Sequence, residues 1–101
     1  MTFSKIQKEE LKKMIKMKLS NENEIQKIIL FGSFVNSNTP NDLDVAIFQD
    51  SEEKYYNLAM RYRKLLREIS RIIPLDILPL KMGAESTFLD EIEKGETIYE
   101  K

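Results

Sequence analysis

Apolar positions along this chain recur at two periods, and the changes between them mark the elements. From Ser4 to Leu19, Leu11, Met14 and Ile15 fall at helical spacing, while Lys5, Lys8, Lys12, Lys13 and Lys16 occupy positions expected to be mostly solvated. Ser4 is placed to accept from the first-turn N–H groups, so a helix N-cap is predicted there. After the polar loop Asn21-Glu22-Asn23-Glu24, the run Ile25 to Phe31 is short, apolar and rich in β-branched residues, which predicts a buried strand. Gly32-Ser33 ends it. Asn36 to Asp42 carries turn chemistry, and Asp44-Val45-Ala46-Ile47-Phe48 predicts a second buried strand.

The stretch Ser51 to Ile72 gives the clearest helical pattern. Tyr55, Leu58, Ala59, Tyr62, Leu65, Leu66, Ile69 and Ile72 form one apolar face, Ser51 is the expected N-cap, and Pro74 is the stop. Leu75 to Leu80 predicts a third strand, with Pro79 pointing to an edge or a strand end. A short helix is expected over Thr87 to Lys94, with Ser86 or Thr87 as its cap and Gly95 as the C′ residue. Thr97-Ile98-Tyr99 predicts a last short strand. Helices alternate with strands, so the expected class is α/β (α+β), a small mixed sheet flanked by helices, in a single domain over residues 1–101.

Composition narrows the chemistry. A chain that is 42% hydrophobic and 33% charged reads as globular, and a formal net charge of −1 gives no general attraction to nucleic acid or anionic membrane. With no cysteine and no histidine, thiol nucleophiles, zinc–thiolate sites and imidazole bases are excluded. The apolar run Ile28-Ile29-Leu30-Phe31 is far shorter than the roughly 20 residues of a spanning helix, and no signal-peptide pattern opens the chain. A cytoplasmic setting is the expectation. Arg61, Arg63, Lys64, Arg67 and Arg71 could meet an acidic partner or RNA, but a solvated face opposite the apolar stripe explains them as well. Tyr55, Tyr56 and Tyr62 read as core or interface residues.

Any catalysis must therefore rest on carboxylates, hydroxyls, lysine, arginine and a bound metal. Asp42 and Asp44 lie two apart at the start of a strand, so their side chains share a face with Cα atoms roughly 6.5–7 Å apart. Such a pair can share one divalent ion or bracket two, and its oxygen donors suit Mg²⁺ or Mn²⁺. Leu43, between them, belongs in the core. Asp76 sits within the apolar run Ile73 to Leu78, where a metal ion or a reacting hydroxyl would offset the cost of burying its charge. A third aspartate beside a metal pair could also accept a proton. Gly32 permits close backbone approach to a phosphate, and Ser33 adds a hydroxyl. No Walker A pattern is present. For Gly32-Ser33 and the aspartate pair to meet, the first two strands must be antiparallel. For Asp76 to join them, the third must run parallel to the second, with the 51–72 helix as a right-handed crossover.

Gly32-Ser33, then Asp42-Leu43-Asp44, then Leu75-Asp76-Ile77 resembles the nucleotidyltransferase superfamily that includes polymerase beta. The likeness is nearest to minimal nucleotidyltransferases, the antitoxins of HEPN/MNT toxin–antitoxin modules, and extends through Phe88-Leu89-x-x-Ile92-x-x-Gly95-x-x-Ile98-Tyr99-Glu100. The resemblance implies a polymerase-beta-like core, Mg²⁺ and ATP, and transfer of AMP to a hydroxyl of a HEPN-domain partner. It implies that Gly32 and Ser33 hold phosphate, that Asp42 and Asp44 hold metal, and that Asp76 completes the site as ligand and base. One departure stands out: the family commonly continues Gly-Ser-x-Ala-Arg-Gly, whereas Asn36 here replaces the usual basic residue.

Two rival functions follow. The protein could regulate its HEPN partner by contact alone, with Asn36 marking decay of the site, or it could act on a small hydroxylated substrate as a dimer. A core of this size has little room for an acceptor-binding domain, which favours an acceptor presented by a partner and hence a homo- or hetero-oligomer.

Overall fold

The computed structural model describes residues 2–83 and 89–101. Its elements run α1 (Lys5–Leu19), β1 (Ile25–Phe31), α2 (Ser33–Asn36), β2 (Leu43–Gln49), α3 (Tyr55–Leu65), α4 (Arg67–Ser70), β3 (Leu75–Lys81), α5 (Leu89–Glu93) and β4 (Glu96–Glu100). The strands form one mixed sheet in the order β3-β2-β1-β4. β1 is antiparallel to both β2 and β4, and β2 is parallel to β3. This is the pairing that convergence of the three aspartates requires.

α1 begins as its sequence dictates. Ser4 Oγ accepts from Gln7 N at 3.1 Å and Gln7 Oε1 accepts from Ser4 N at 2.8 Å, a reciprocal capping box. Leu11, Ile15 and Leu19 are buried. The lysines of this helix divide: Lys5, Lys13 and Lys16 are exposed, but Lys8 and Lys12 are half-buried, so the expected solvation fails for those two. Lys12 pairs with Glu9 and with Glu96 of β4.

The sheet separates two apolar layers. Ile28, Leu30, Leu43, Val45, Ile47 and Ile77 face the main core, which α1, α3 and α4 close with Leu11, Ile15, Leu58, Tyr62, Leu66 and Ile69. Ile29, Phe31 and Ala46 face the other side, where Ile92 of α5 packs among the described residues and Phe48, Leu78 and Leu80 are only partly covered. Strand alternation thus places Asp44 and Asp76 on the thinly covered face.

The 51–72 segment corrects the sequence reading. Ser51 does not cap the helix; its hydroxyl accepts from Glu53 N at 2.9 Å in a local turn, and α3 starts only after Lys54. Leu66, at φ −100° and ψ 17°, then separates α3 from α4. Beyond it the backbone tightens, with Ile69 N donating to Leu66 O and Ile72 N to Ile69 O. The ends of the apolar stripe therefore leave the core: Tyr55 is 56% exposed and Ile72 40%, while Leu58, Ala59, Tyr62, Leu66 and Ile69 are buried. Tyr62 buries its ring and donates to Glu24 Oε2 at 2.8 Å, within reach of Arg61.

Pro79 lies in β3, an edge strand, where its missing N–H costs no ladder bond on the open side. Gly95 follows α5, but not in the left-handed conformation expected of a C′ glycine, since the positive-φ glycines are Gly32 and Gly83. Its reason is space: a Cβ there would meet the Leu30 carbonyl oxygen and crowd Ile29. The predicted caps Ser86 and Thr87 lie outside the described residues. No helix among the described residues is long and apolar enough to cross a membrane.

Candidate active site

The end of β1 faces the start of β2, with Phe31 opposite Asp44. Pro74 fixes the next neighbour: its carbonyl accepts from Leu43 N at 2.9 Å, and the parallel register sets Asp44 beside Asp76. Leu43 is fully buried, as its place between the two acidic residues requires. One carboxylate oxygen from each of Asp42, Asp44 and Asp76 falls within 4.8 Å of the others. Asp42 and Asp44 are half-buried and Asp76 is exposed, so the cluster opens outward on the Asp76 side. The sequence thus anticipated all three acidic positions and their meeting, but not this gradient of exposure.

Three carboxylates this close repel one another. Burial, then the charge of Asp42, then the hydrogen bond and charge of Asp76 push the Asp44 carboxyl up to about 6. The donor set fits a hard divalent cation: oxygen only, several negative charges, and a span that one ion or an ion pair could bridge.

Gly32 is tied to this cluster by two independent constraints. Its φ of 78° and ψ of −153° fall in a region essentially reserved for glycine. A Cβ at that position would also run into the Asp44 carboxylate. The chain then turns through the single helical turn α2. Ser33 Oγ lies 3.4 Å from both the carbonyl and Oδ1 of Asp42, so the serine hydroxyl borders the acidic pair. Asn36 is exposed and donates its amide to Gly32 O at 3.2 Å; it braces the turn and adds no cation.

Two surface clefts among the described residues lie elsewhere. One runs between α1 and β4, another along α3 and α4 beside Leu75, and neither is lined by any of the three aspartates. Arg63, Lys64 and Arg67 along the second cleft are exposed, as is Arg71. The combination of residues locates the site.

Sequence reasoning missed one participant. Lys8 of α1 donates to the carbonyls of Phe34 and Ser37, contacts spanning 26 and 29 residues. No local pattern separates this lysine from its neighbours on α1.

A chain of the MntA–HepT toxin–antitoxin crystal structure is 17% identical, with a TM-score of 0.58 over 92% of this chain and 73% of that one. A chain of the complex between tri-AMPylated HEPN toxin of Shewanella oneidensis and MNT antitoxin is 19% identical, with a TM-score of 0.58 over 93% and 73%. A chain of a toxin–antitoxin structure with AMP-PNP is 18% identical, with a TM-score of 0.61 over 89% and 73%. At these identities the likeness is one of fold. No curated protein sequence matches. The family model for polymerase beta nucleotidyltransferases matches residues 13–101. That span holds the Gly32–Ser33 turn and all three aspartates, and the chain belongs to the polymerase beta nucleotidyltransferase family.

Proposed function

We propose that this protein acts, as a minimal nucleotidyltransferase domain of the cytoplasm, to move AMP from ATP onto a hydroxyl of a HEPN-domain partner, and that it thereby serves as an antitoxin. The observation that carries the reading is the meeting of three carboxylates within 4.8 Å beside the Gly32–Ser33 turn. The partner and the nucleotide are drawn from the solved relatives, which include an MNT antitoxin complexed with an AMPylated HEPN toxin and a toxin–antitoxin structure with AMP-PNP.

In this reading Asp42, Asp44 and Asp76 hold the metal, Mg²⁺ or Mn²⁺. When bound, a divalent ion offsets charge on the triphosphate and on departing pyrophosphate. Gly32 lets the backbone approach the phosphates, and Ser33 offers its hydroxyl from the border of the acidic pair. Asp76 is the outermost carboxylate, so it is the one an acceptor on another protein reaches first, and it takes the acceptor's proton. The hydroxyl oxygen bonds to the α-phosphorus, the bond from that phosphorus to the bridging oxygen breaks, and pyrophosphate leaves. The chain contributes orientation and placed charge, which need no histidine.

A second reading has its own observation. Position 36 carries an amide bonded back to Gly32 and no cation, which suits a domain that only binds its partner. Incubation with α-labelled ATP, Mg²⁺ and the product of the neighbouring gene, tested as the HEPN-domain partner, separates the two. Label on the HEPN protein, lost in Asp42→Asn and Asp44→Asn, is the expected result. A stable complex with no label, whose neutralising effect survives both substitutions, would establish the binder instead.

A further inference from the structure

Residues before position 13 lie outside the matched family region, yet they grip the turn at the centre of the site. Lys8 Nζ donates to Phe34 O at 2.7 Å and to Ser37 O at 2.5 Å, and lies 5.3 Å from the centroid of the Phe34 ring. Phe3 adds a second hold. Its ring meets that of Phe34 edge-on at 6.0 Å, and its N–H donates to Asn38 O at 2.9 Å. Both phenylalanines are buried.

The turn needs this support. α2 has four residues, and a single helical turn is unstable alone because nucleation fixes several residues for one bond. Its internal bonds are few: Ser37 N to Ser33 O at 2.8 Å, Asn36 N to Gly32 O at 3.3 Å and Val35 N to Gly32 O at 3.1 Å. The Phe34 and Ser37 carbonyls lie at its C-terminal end, and a cation there satisfies them and suits the dipole. Ser33 begins the same turn. Whatever fixes the carbonyl end fixes the serine hydroxyl relative to Asp42.

We infer that Lys8 is a positioning residue for nucleotidyl transfer: by clamping the Phe34 and Ser37 carbonyls it holds Gly32 and Ser33 where the triphosphate is bound. The inference rests on the reading of that turn as the phosphate contact. Lys8 itself touches no reacting atom.

Four variants test it together: Lys8→Met, Lys8→Arg, Ser33→Ala and the control Lys12→Met, which removes a neighbouring lysine held by Glu9 and Glu96. Each is measured by amide exchange, by binding of a non-hydrolysable ATP analogue with Mg²⁺, and by KM and kcat for transfer. In Lys8→Met, exchange at Asn36 and Ser37 should quicken, and analogue binding should weaken with KM rising about tenfold, because binding must then order the loosened turn, while kcat at saturation is largely kept. Lys8→Arg should restore both, and Lys12→Met should move neither. Exchange that is unchanged or uniformly faster along the chain overturns the inference, as does unaltered affinity beside a loosened turn. Failure of the underlying reading looks different: wild-type protein does not bind the analogue, or Ser33→Ala binds it as tightly.

Discussion

Replacing Asp44 with asparagine should stabilise the protein while abolishing transfer. Asn keeps the shape that fits against Gly32, and its amide can donate toward Asp42 and Asp76. What it removes is one of three crowded charges. The Asp44 carboxyl is raised from the ordinary 3.8 to about 6, first by burial and then by its two neighbours. Without solvent screening that shift corresponds to about 3 kcal/mol. The group is only half-buried, so screening leaves on the order of 1 kcal/mol. A carboxyl raised in this way holds its proton more tightly in the folded state. The metal-free fold therefore loses stability as pH rises from about 4 through about 6, and regains it as pH falls through that window. In EDTA at about pH 7.5, Asp44→Asn should melt about 4–8 °C above the wild type. At about pH 4, where Asp44 is protonated and resembles asparagine, the gap should nearly close. Circular dichroism melts at the two pH values, with and without Mg²⁺, read both effects, and Mg²⁺ should stabilise the wild type more than the variant. An Asp44→Asn melting point at or below wild type near pH 7.5, or a gap that persists unchanged in acid, would refute the argument from charge crowding.

Three further outcomes are expected. Gly32→Ala should cost about 1–3 kcal/mol from its backbone conformation alone, with the clash against Asp44 added, and should abolish ATP binding; denaturant unfolding and calorimetric titration check this. Tyr62→Phe should lose about 1.5–3 kcal/mol in urea unfolding, because Glu24 loses a donor, while transfer stays intact. Asn36→Arg places a cation on an exposed position beside the phosphate turn and should lower the KM for ATP about tenfold, an effect of one charged hydrogen bond; an unchanged KM would show that this position does not reach the nucleotide.

What the sequence conveys here follows the range over which each signal acts. β1 was legible at both ends because its apolar run stops at Gly32, and the α1 cap was legible because Ser4 and Gln7 bond within one turn. The aspartates were legible because strand alternation fixes Asp42 and Asp44 locally, and only one arrangement of strands brings Asp76 to them. The start of α3 was hidden because Ser51 has two local uses, and its hydroxyl serves the turn to Glu53 instead of the helix. The break at Leu66 carries no glycine or proline to announce it. Gly95 is required by a neighbouring strand, which no local rule can see. Lys8 is the extreme case, a lysine among lysines until the fold carries Phe34 and Ser37 to it.

The central claim is that Asp42, Asp44 and Asp76 jointly hold a divalent ion against a triphosphate seated on Gly32 and Ser33. Anomalous diffraction from crystals grown with Mn²⁺ and a non-hydrolysable ATP analogue tests this most directly. The expected result is manganese density between the three carboxylates, with phosphate oxygens beside Ser33. Nucleotide bound elsewhere, or bound at the turn with Asp76 swung away and no metal among the aspartates, would contradict it.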